Sequence, residues 1–159
     1  RAPLAAQLDH IHALLVIGGP DGADDVTAIA AARGLAVFHA ALTPDADAVA
    51  RLRGRRLFAF AGIGDPDKFF ATLAQAGLTP AGRRAFPDHH RYSARDAAAL
   101  IEAAQRDGLE LVTIEKDAAR LAGDPARAEL KACSAVLPVT LALEEPQRFS
   151  DFVLSRLRA

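Results

Sequence analysis

Two of the five histidines in this chain stand side by side behind an aspartate, in "AFPDHHRYS" at residues 85–93. An imidazole exchanges protons near neutral pH, and a carboxylate next to it can orient the ring and fix its tautomer. Asp88, His89 and His90 could therefore handle the proton of a reacting hydroxyl, or form a structural pair in which the acid merely holds a packed or capping ring. A second group is "GIGDPD" at 62–67, where Gly62 and Gly64 precede two acids. Glycines there could let backbone N–H groups approach an anion at a helix start, or simply make a tight turn with Asp65 and Asp67 complementing the helix dipole. The third is "EKD" at 115–117, where Glu115, Lys116 and Asp117 could contact a ligand or form a solvated helix start with a local ion pair. His10 and His12 alternate on a strand-like stretch, but with no clustered Cys or acid nearby they make a poor metal site. His39 reads as a core or edge histidine, and the lone Cys133 as a buried structural thiol.

These groups need elements to position them. Apolar, β-rich runs at 12–18, 35–42, 56–62, 82–86, 109–114 and 135–143 alternate with helical patterns at 21–34, 65–77, 93–108, 115–123 and 145–159. The stretches 50–56 and 123–132 read as loose connections. This alternation predicts an α/β fold on a mainly parallel sheet. Ser93 and Asp96 form a capping box, Ala97, Leu100, Ile101 and Ala104 recur at helical spacing behind it, and Gly108 closes the helix. Pro87 biases Phe86 toward an extended conformation, so Asp88, His89 and His90 fall in a strand-to-helix loop. The glycine and Glu-Lys-Asp groups have the same topology. In a parallel sheet all three loops lie at the carboxyl ends of strands, where open α/β sheets bind ligands.

Composition narrows the function classes. With 159 residues, 51% of them hydrophobic, the chain can build a core of its own, and a net charge of −1 gives no global footprint for nucleic acid. One cysteine allows no disulfide framework within the chain, and a reducing, cytoplasmic setting is the expectation. No apolar run reaches the roughly 20 residues of a membrane-spanning helix. In the last segment Phe149, Phe152, Val153 and Leu157 lie near one face, with Arg148, Arg156 and Arg158 supplying positive charge. That pattern suits packing on a sheet and is also compatible with an anionic lipid surface. The chain begins at Arg1 and contains no methionine, so the expectation is a piece of a longer protein.

Together, "LFAFAGIGDPDKFFATLAQAGL", "AFPDHHRYSARD" and "LVTIEKDAARL", in this order and at these separations, resemble the carboxy-terminal half of the tetraacyldisaccharide 4′-kinase family of lipid A biosynthesis in Gram-negative bacteria. The opening "RAPLAAQLDHIHALLVIGG" is similar to the family stretch that comes after the nucleotide-binding core. The resemblance implies the second lobe of a two-lobed, P-loop-related kinase. Residues 1–50 would be the end of the nucleotide-binding core and an inter-lobe linker, and 51–159 the carboxy-terminal α/β lobe. It implies transfer of the γ-phosphate of ATP to the 4′-hydroxyl of an acylated glucosamine disaccharide 1-phosphate, at the cytoplasmic face of the inner membrane with peripheral membrane contact. ATP and Mg2+ would be held mainly by an amino-terminal lobe. This chain has no Gly-Lys pair, so alone it is expected to be inactive.

The family's Asp-His motif falls on Asp88 and His89, which the resemblance makes catalytic, with His90 supporting the site or touching substrate. Gly62, Gly64, Glu115, Lys116 and Asp117 are the substrate- or phosphate-binding candidates, and no metal ligand is assigned. The family often has Arg-Glu-Pro where this chain has Arg1-Ala2-Pro3, so no role of that acid carries over, and Ile114 stands where a second Thr is common. Two other classes stay open. The Asp-His-His triplet, with Asp45 and Asp47, also resembles that of manganese-dependent phosphoesterases, although "GRRAF" is a weak strand to precede it. A non-catalytic, flavodoxin-like ligand-binding domain is the other.

Overall fold

The computed structural model describes residues 3–18, 23–123 and 125–157. Its contacts divide the chain into two compact units, Arg1–Thr43 with Thr140–Ala159, and Pro44–Val139. This line differs from the division at 50/51 drawn from the sequence. The α/β class holds, but the strands form two sheets instead of one.

The first unit contains α1 (Leu4–Leu8), β1 (Ala13–Ile17), α2 (Asp24–Ala32), β2 (Ala36–Pro44), β7 (Val139–Leu143) and α8 (Pro146–Leu157), with a three-stranded sheet in the order β1-β2-β7. β1 and β2 run parallel. α8 packs through Phe149 and Phe152 on Phe38 of β2, at ring separations of 5.1 and 5.4 Å. His10 and His12 lie in the turn and bend between α1 and β1, not on a strand. His39 is exposed on β2.

The second unit carries all three candidate loops. Its elements are α3 (Ala46–Leu52), β3 (Leu57–Ala61), α4 (Pro66–Gln75), β4 (Gly82–Ala85), α5 (Ala94–Asp107), β5 (Glu110–Ile114), α6 (Glu115–Arg120), α7 (Pro125–Cys133) and β6 (Ser134–Leu137). The strands form one parallel sheet in the order β4-β3-β5-β6. Side chains alternate across it as the pleat requires. Leu57, Ala59 and Ala61 join the cluster under α3 and α4, while Phe60 joins the one under α5 and α7. Phe58 pairs in register with Gly82 of the edge strand β4, and its ring lies so close that a Cβ there would come within 2.5 Å of Cδ2.

Of the two stretches read as loose connections, 123–132 is largely helical, whereas 50–56 begins with the last turn of a helix and is irregular from Arg53 to Arg56. α3 starts on Asp45, whose carboxylate accepts the Ala48 N–H at 2.8 Å, and it buries Ala48, Val49 and Leu52. The arginines of 50–56 hid that apolar face. α7 opens on Pro125, a residue preorganised for a first helical position, and buries Leu130 completely. The run 135–143 is two strands. Pro138 separates them because it has no N–H for a ladder, and its carbonyl instead accepts from Asp45 N at 2.9 Å. Cys133 ends α7 exposed, not buried. Its thiol donates to the Leu130 carbonyl at 3.5 Å, and partial desolvation raises its pKa.

Candidate functional site

The order β4-β3-β5 arises because the chain steps outward from β3 to β4 and then crosses back to β5. The loops after β3, β4 and β5 thus converge at one edge of the sheet, at its switch point.

At the centre is Asp117, in the first turn of α6 and fully buried. One carboxylate oxygen accepts the Gly62 N–H at 2.7 Å, and the other accepts Arg120 Nη1 at 2.8 Å. Arg120 Nη1 also donates to the Gly62 carbonyl at 2.6 Å. A buried carboxylate needs such partners, because leaving one charge unpaired there costs several kcal/mol, roughly 3–5. Gly62 is required by close approach: a Cβ would lie 3.1 Å from both His90 Cβ and the Tyr92 hydroxyl, and 3.4 Å from Asp117 Oδ1. Its N–H therefore serves Asp117 and is not available to an anion.

Arg120 reaches outward as well, its Nη2 lying 3.2 Å from His89 Nδ1. A guanidinium cannot accept, so Nδ1 is the acceptor and the neutral ring carries its proton on Nε2. That nitrogen sits 3.7 Å from Asp88 Oδ2, while Asp88 Oδ1 accepts the His89 backbone N–H at 2.9 Å. The His89 side chain is 83% exposed. Its φ of 57° is the one positive value outside glycine among the described residues. A non-glycine residue held there costs roughly 1–3 kcal/mol, and such strain concentrates at functional sites. Gly64 lies beneath the aspartate, where a Cβ would stand 3.3 Å from Asp88 Oδ2.

His90 is placed differently. Its Nε2 lies 3.1 Å from Asp96 Oδ2, and the ring stacks on Phe86 at 4.6 Å. Asp96 also receives the Ser93 N–H and hydroxyl, so the capping box and the His90 clamp share one carboxylate. Its pKa is held below the ordinary value, chiefly by the Ser93 N–H and further by the Ser93 hydroxyl and His90, against the opposing effect of burial. Beside this ring Tyr92 is buried among Phe60, Phe86 and His90. Its hydroxyl makes no hydrogen bond of good geometry. Burial first, and the neighbouring Asp117 carboxylate second, push its pKa far above the ordinary phenol value.

The remaining candidates are more peripheral. Glu115 Oε2 accepts the Val139 N–H at 3.4 Å, and Lys116 is exposed with no hydrogen bond or ion pair among the described residues. Asp65 caps α4 by accepting from Lys68 N at 3.3 Å, and Asp67 sits in that helix's first turn. Asp45 and Asp47 likewise belong to the start of α3. Among the described residues no group of three or more His, Cys, Asp or Glu side chains is placed to hold a metal ion. Sequence reasoning missed Tyr92, Arg120 and Arg127. Arg120, three residues after Asp117, was the most accessible of them, since that spacing on a helix permits an ion pair.

A family model described as tetraacyldisaccharide-1-P 4′-kinase matches residues 1–158. Proteins named tetraacyldisaccharide 4′-kinase are 51% identical over all 159 residues in Rhodopseudomonas palustris (strain BisA53) and 52% identical over 158 residues in Methylobacterium nodulans. The chain spans about half the length of these relatives, 46% and 44%. A crystal structure of the "apo" form of LpxK from Aquifex aeolicus in complex with ATP covers 77% of this chain and 36% of its own, at 18% identity and a TM-score of 0.42. That superposition is too loose to place a residue. The match over nearly every residue, together with relatives at half identity, means that the chain belongs to the tetraacyldisaccharide 4′-kinase family.

Proposed function

We propose that this chain is the carboxy-terminal part of a kinase that transfers the γ-phosphate of ATP to the 4′-hydroxyl of tetraacyldisaccharide 1-phosphate. Residues 1–50 would adjoin the nucleotide-binding core, and the acceptor lipid would be met at the cytoplasmic face of the inner membrane. The observation that carries the reading is the family match over residues 1–158 joined to the position of Asp88 and His89, exposed at the ligand edge of a parallel sheet. ATP and Mg2+ belong to this reading through the rest of the parent protein.

Phosphoryl transfer asks a protein mainly for positioning and charge stabilisation, plus a group that orients the attacking hydroxyl and takes its proton. His89 is the residue for that task. Asp88 holds the loop through the His89 N–H, and Arg120, fixed by Asp117, occupies His89 Nδ1. To accept a proton there, His89 must exchange Arg120 for the acceptor hydroxyl, with Asp88 on the far side of the ring. His90, tied to Asp96 and Phe86, supports the loop.

In the full-length protein His89→Ala should lower kcat at least tenfold while KM for ATP changes little, because the lost interaction belongs to the transferring step. Steady-state kinetics of the His89→Ala and His90→Ala variants check this. A larger loss from His90→Ala would reverse the assignment within the pair. Stoichiometric manganese with diesterase activity in the purified protein would instead favour the phosphoesterase reading.

A further inference from the structure

The His89 imidazole stands 83% exposed, and the Asp88 carboxylate, 3.7 Å from Nε2, is beyond hydrogen-bond distance. A ring so placed has two flips and two neutral tautomers open to it, and only some of these turn a basic nitrogen toward a given reactant. Among the described residues one side chain narrows the choice by a hydrogen bond to the ring. It is Arg120, whose Nη2 donates to Nδ1 at 3.2 Å.

The aim of that Nη2 is fixed from the other side of the guanidinium. Nη1 has two protons and both are engaged, one with the Gly62 carbonyl at 2.6 Å and one with Asp117 Oδ1 at 2.8 Å. Asp117 is fully buried and is itself held by the Gly62 N–H at 2.7 Å. A planar fork pinned twice at one nitrogen cannot swing the other. The ion pair is therefore an anchor, and it also offsets the guanidinium charge, so that an imidazolium forming beside it does not face a net cation.

The loops after β3, β4 and β5 thus meet in one chain of contacts that runs from buried to exposed: Asp117, then Arg120 at 24%, then His89. The bond from Nη2 is its outermost link, so an incoming hydroxyl can replace it at Nδ1 while both Nη1 contacts stay in place.

We propose that Arg120 is the positioning residue of His89: anchored by Asp117, it keeps the ring proton on Nε2 and the Nδ1 lone pair directed inward, ready to be exchanged for the acceptor hydroxyl. This role rests on the phosphoryl-transfer reading of His89. In that step Nδ1 takes the hydroxyl proton as the acceptor oxygen bonds to the γ-phosphorus, and the bond from that phosphorus to the ADP oxygen breaks, its electron pair leaving with ADP.

The test uses full-length protein carrying isotope-labelled histidine, with ring-nitrogen shifts read by NMR at pH about 8.5, above the ordinary imidazole value. The His89 signals are those absent from His89→Ala. In the wild type Nδ1 should have the shift of an unprotonated nitrogen and Nε2 that of a protonated one. In Arg120→Met the two shifts should move toward each other as both tautomers become populated, and kcat should fall about tenfold with KM for ATP little changed. If Arg120→Met fails to fold because the buried carboxylate is left unpaired, the Asp117→Asn/Arg120→Met double variant removes both charges and should show the same changes. Leu130→Ala, which weakens the fold away from His89, should leave both shifts where they are. A protonated Nδ1 in the wild type, unmoved shifts or undiminished kcat in a folded Arg120 variant, or the same movement in Leu130→Ala would overturn the proposal. An unchanged kcat in His89→Ala would count instead against the reading on which it rests.

Discussion

At the scale of single residues, the two histidines of the loop divide their tasks by what each touches. His90 is pinned by a carboxylate and an aromatic face, whereas His89 stands out with its backbone in the left-handed region. The cost of that conformation depends on a Cβ, so two replacements of His89 should differ in stability. His89→Gly is expected to exceed His89→Ala by about 1 kcal/mol in denaturant unfolding, while both lose activity. Equal stabilities would mean that the loop relaxes once the imidazole is gone. Tyr92 gives a second residue-level expectation, made clean by its being the single tyrosine of a chain without tryptophan. Its pKa in the folded state is raised above the unfolded value of about 10, so its contribution to stability is complete below that pH and is lost as the pH rises further. Tyrosinate absorbance should stay absent above pH ~10 while the chain is folded and develop only with alkaline unfolding. A reversible native titration near the ordinary phenol value would contradict the burial described for it.

At the scale of elements, α7 carries much of the packing that keeps the site's second layer together. Its Leu130 is fully buried in the same cluster as Tyr92, Phe86 and Leu100 of α5. Leu130→Ala should cost about 2–5 kcal/mol, read as a fall in the urea midpoint with little change in slope. The elements also explain what could be read in advance. β3, β5 and the capped α5 have strong local signals, an apolar run or a cap ahead of periodic apolar residues, and they appear close to the expected bounds. α3 and α7 are short and rich in alanine, so their large apolar residues amount to a few positions, and tertiary burial decides them. The loops after β3 and β5 were legible for the same reason, since each comes directly after a clear strand, and the loop after the weak β4 was legible from Pro87 and the Ser93 cap on either side of it. Their internal wiring was not: the bond from Asp117 to Gly62 joins residues 55 apart, and that from Arg120 to His89 joins residues 31 apart. Nothing local encodes such pairs.

At the scale of the whole molecule, every candidate residue falls within Pro44–Val139, and the chain is about half as long as its relatives. In the proposed reaction His89 would orient the acceptor hydroxyl, but the sequence has no Gly-Lys pair to cradle the phosphates of a nucleotide. The 159-residue chain alone is therefore expected to give no transfer from γ-labelled ATP to the acceptor lipid, whereas full-length protein gives it readily. Transfer by the isolated chain would require a nucleotide site built without a Walker-type loop.

Much of this geometry hangs on the contact between Phe58 and Gly82. β4 is a four-residue edge strand, and short edge pairings slip easily. An aromatic ring that fits only where its partner lacks a Cβ acts as a keyed joint, admitting one alignment of β4 on β3. A slip by a single position would shift the loop after β4 by about 3.3 Å and send each side chain of β4 to the opposite face. Asp88 and His89 begin three residues after that strand. The accuracy with which His89 meets Arg120 is thus set by a hydrogen atom where a methyl group would otherwise be.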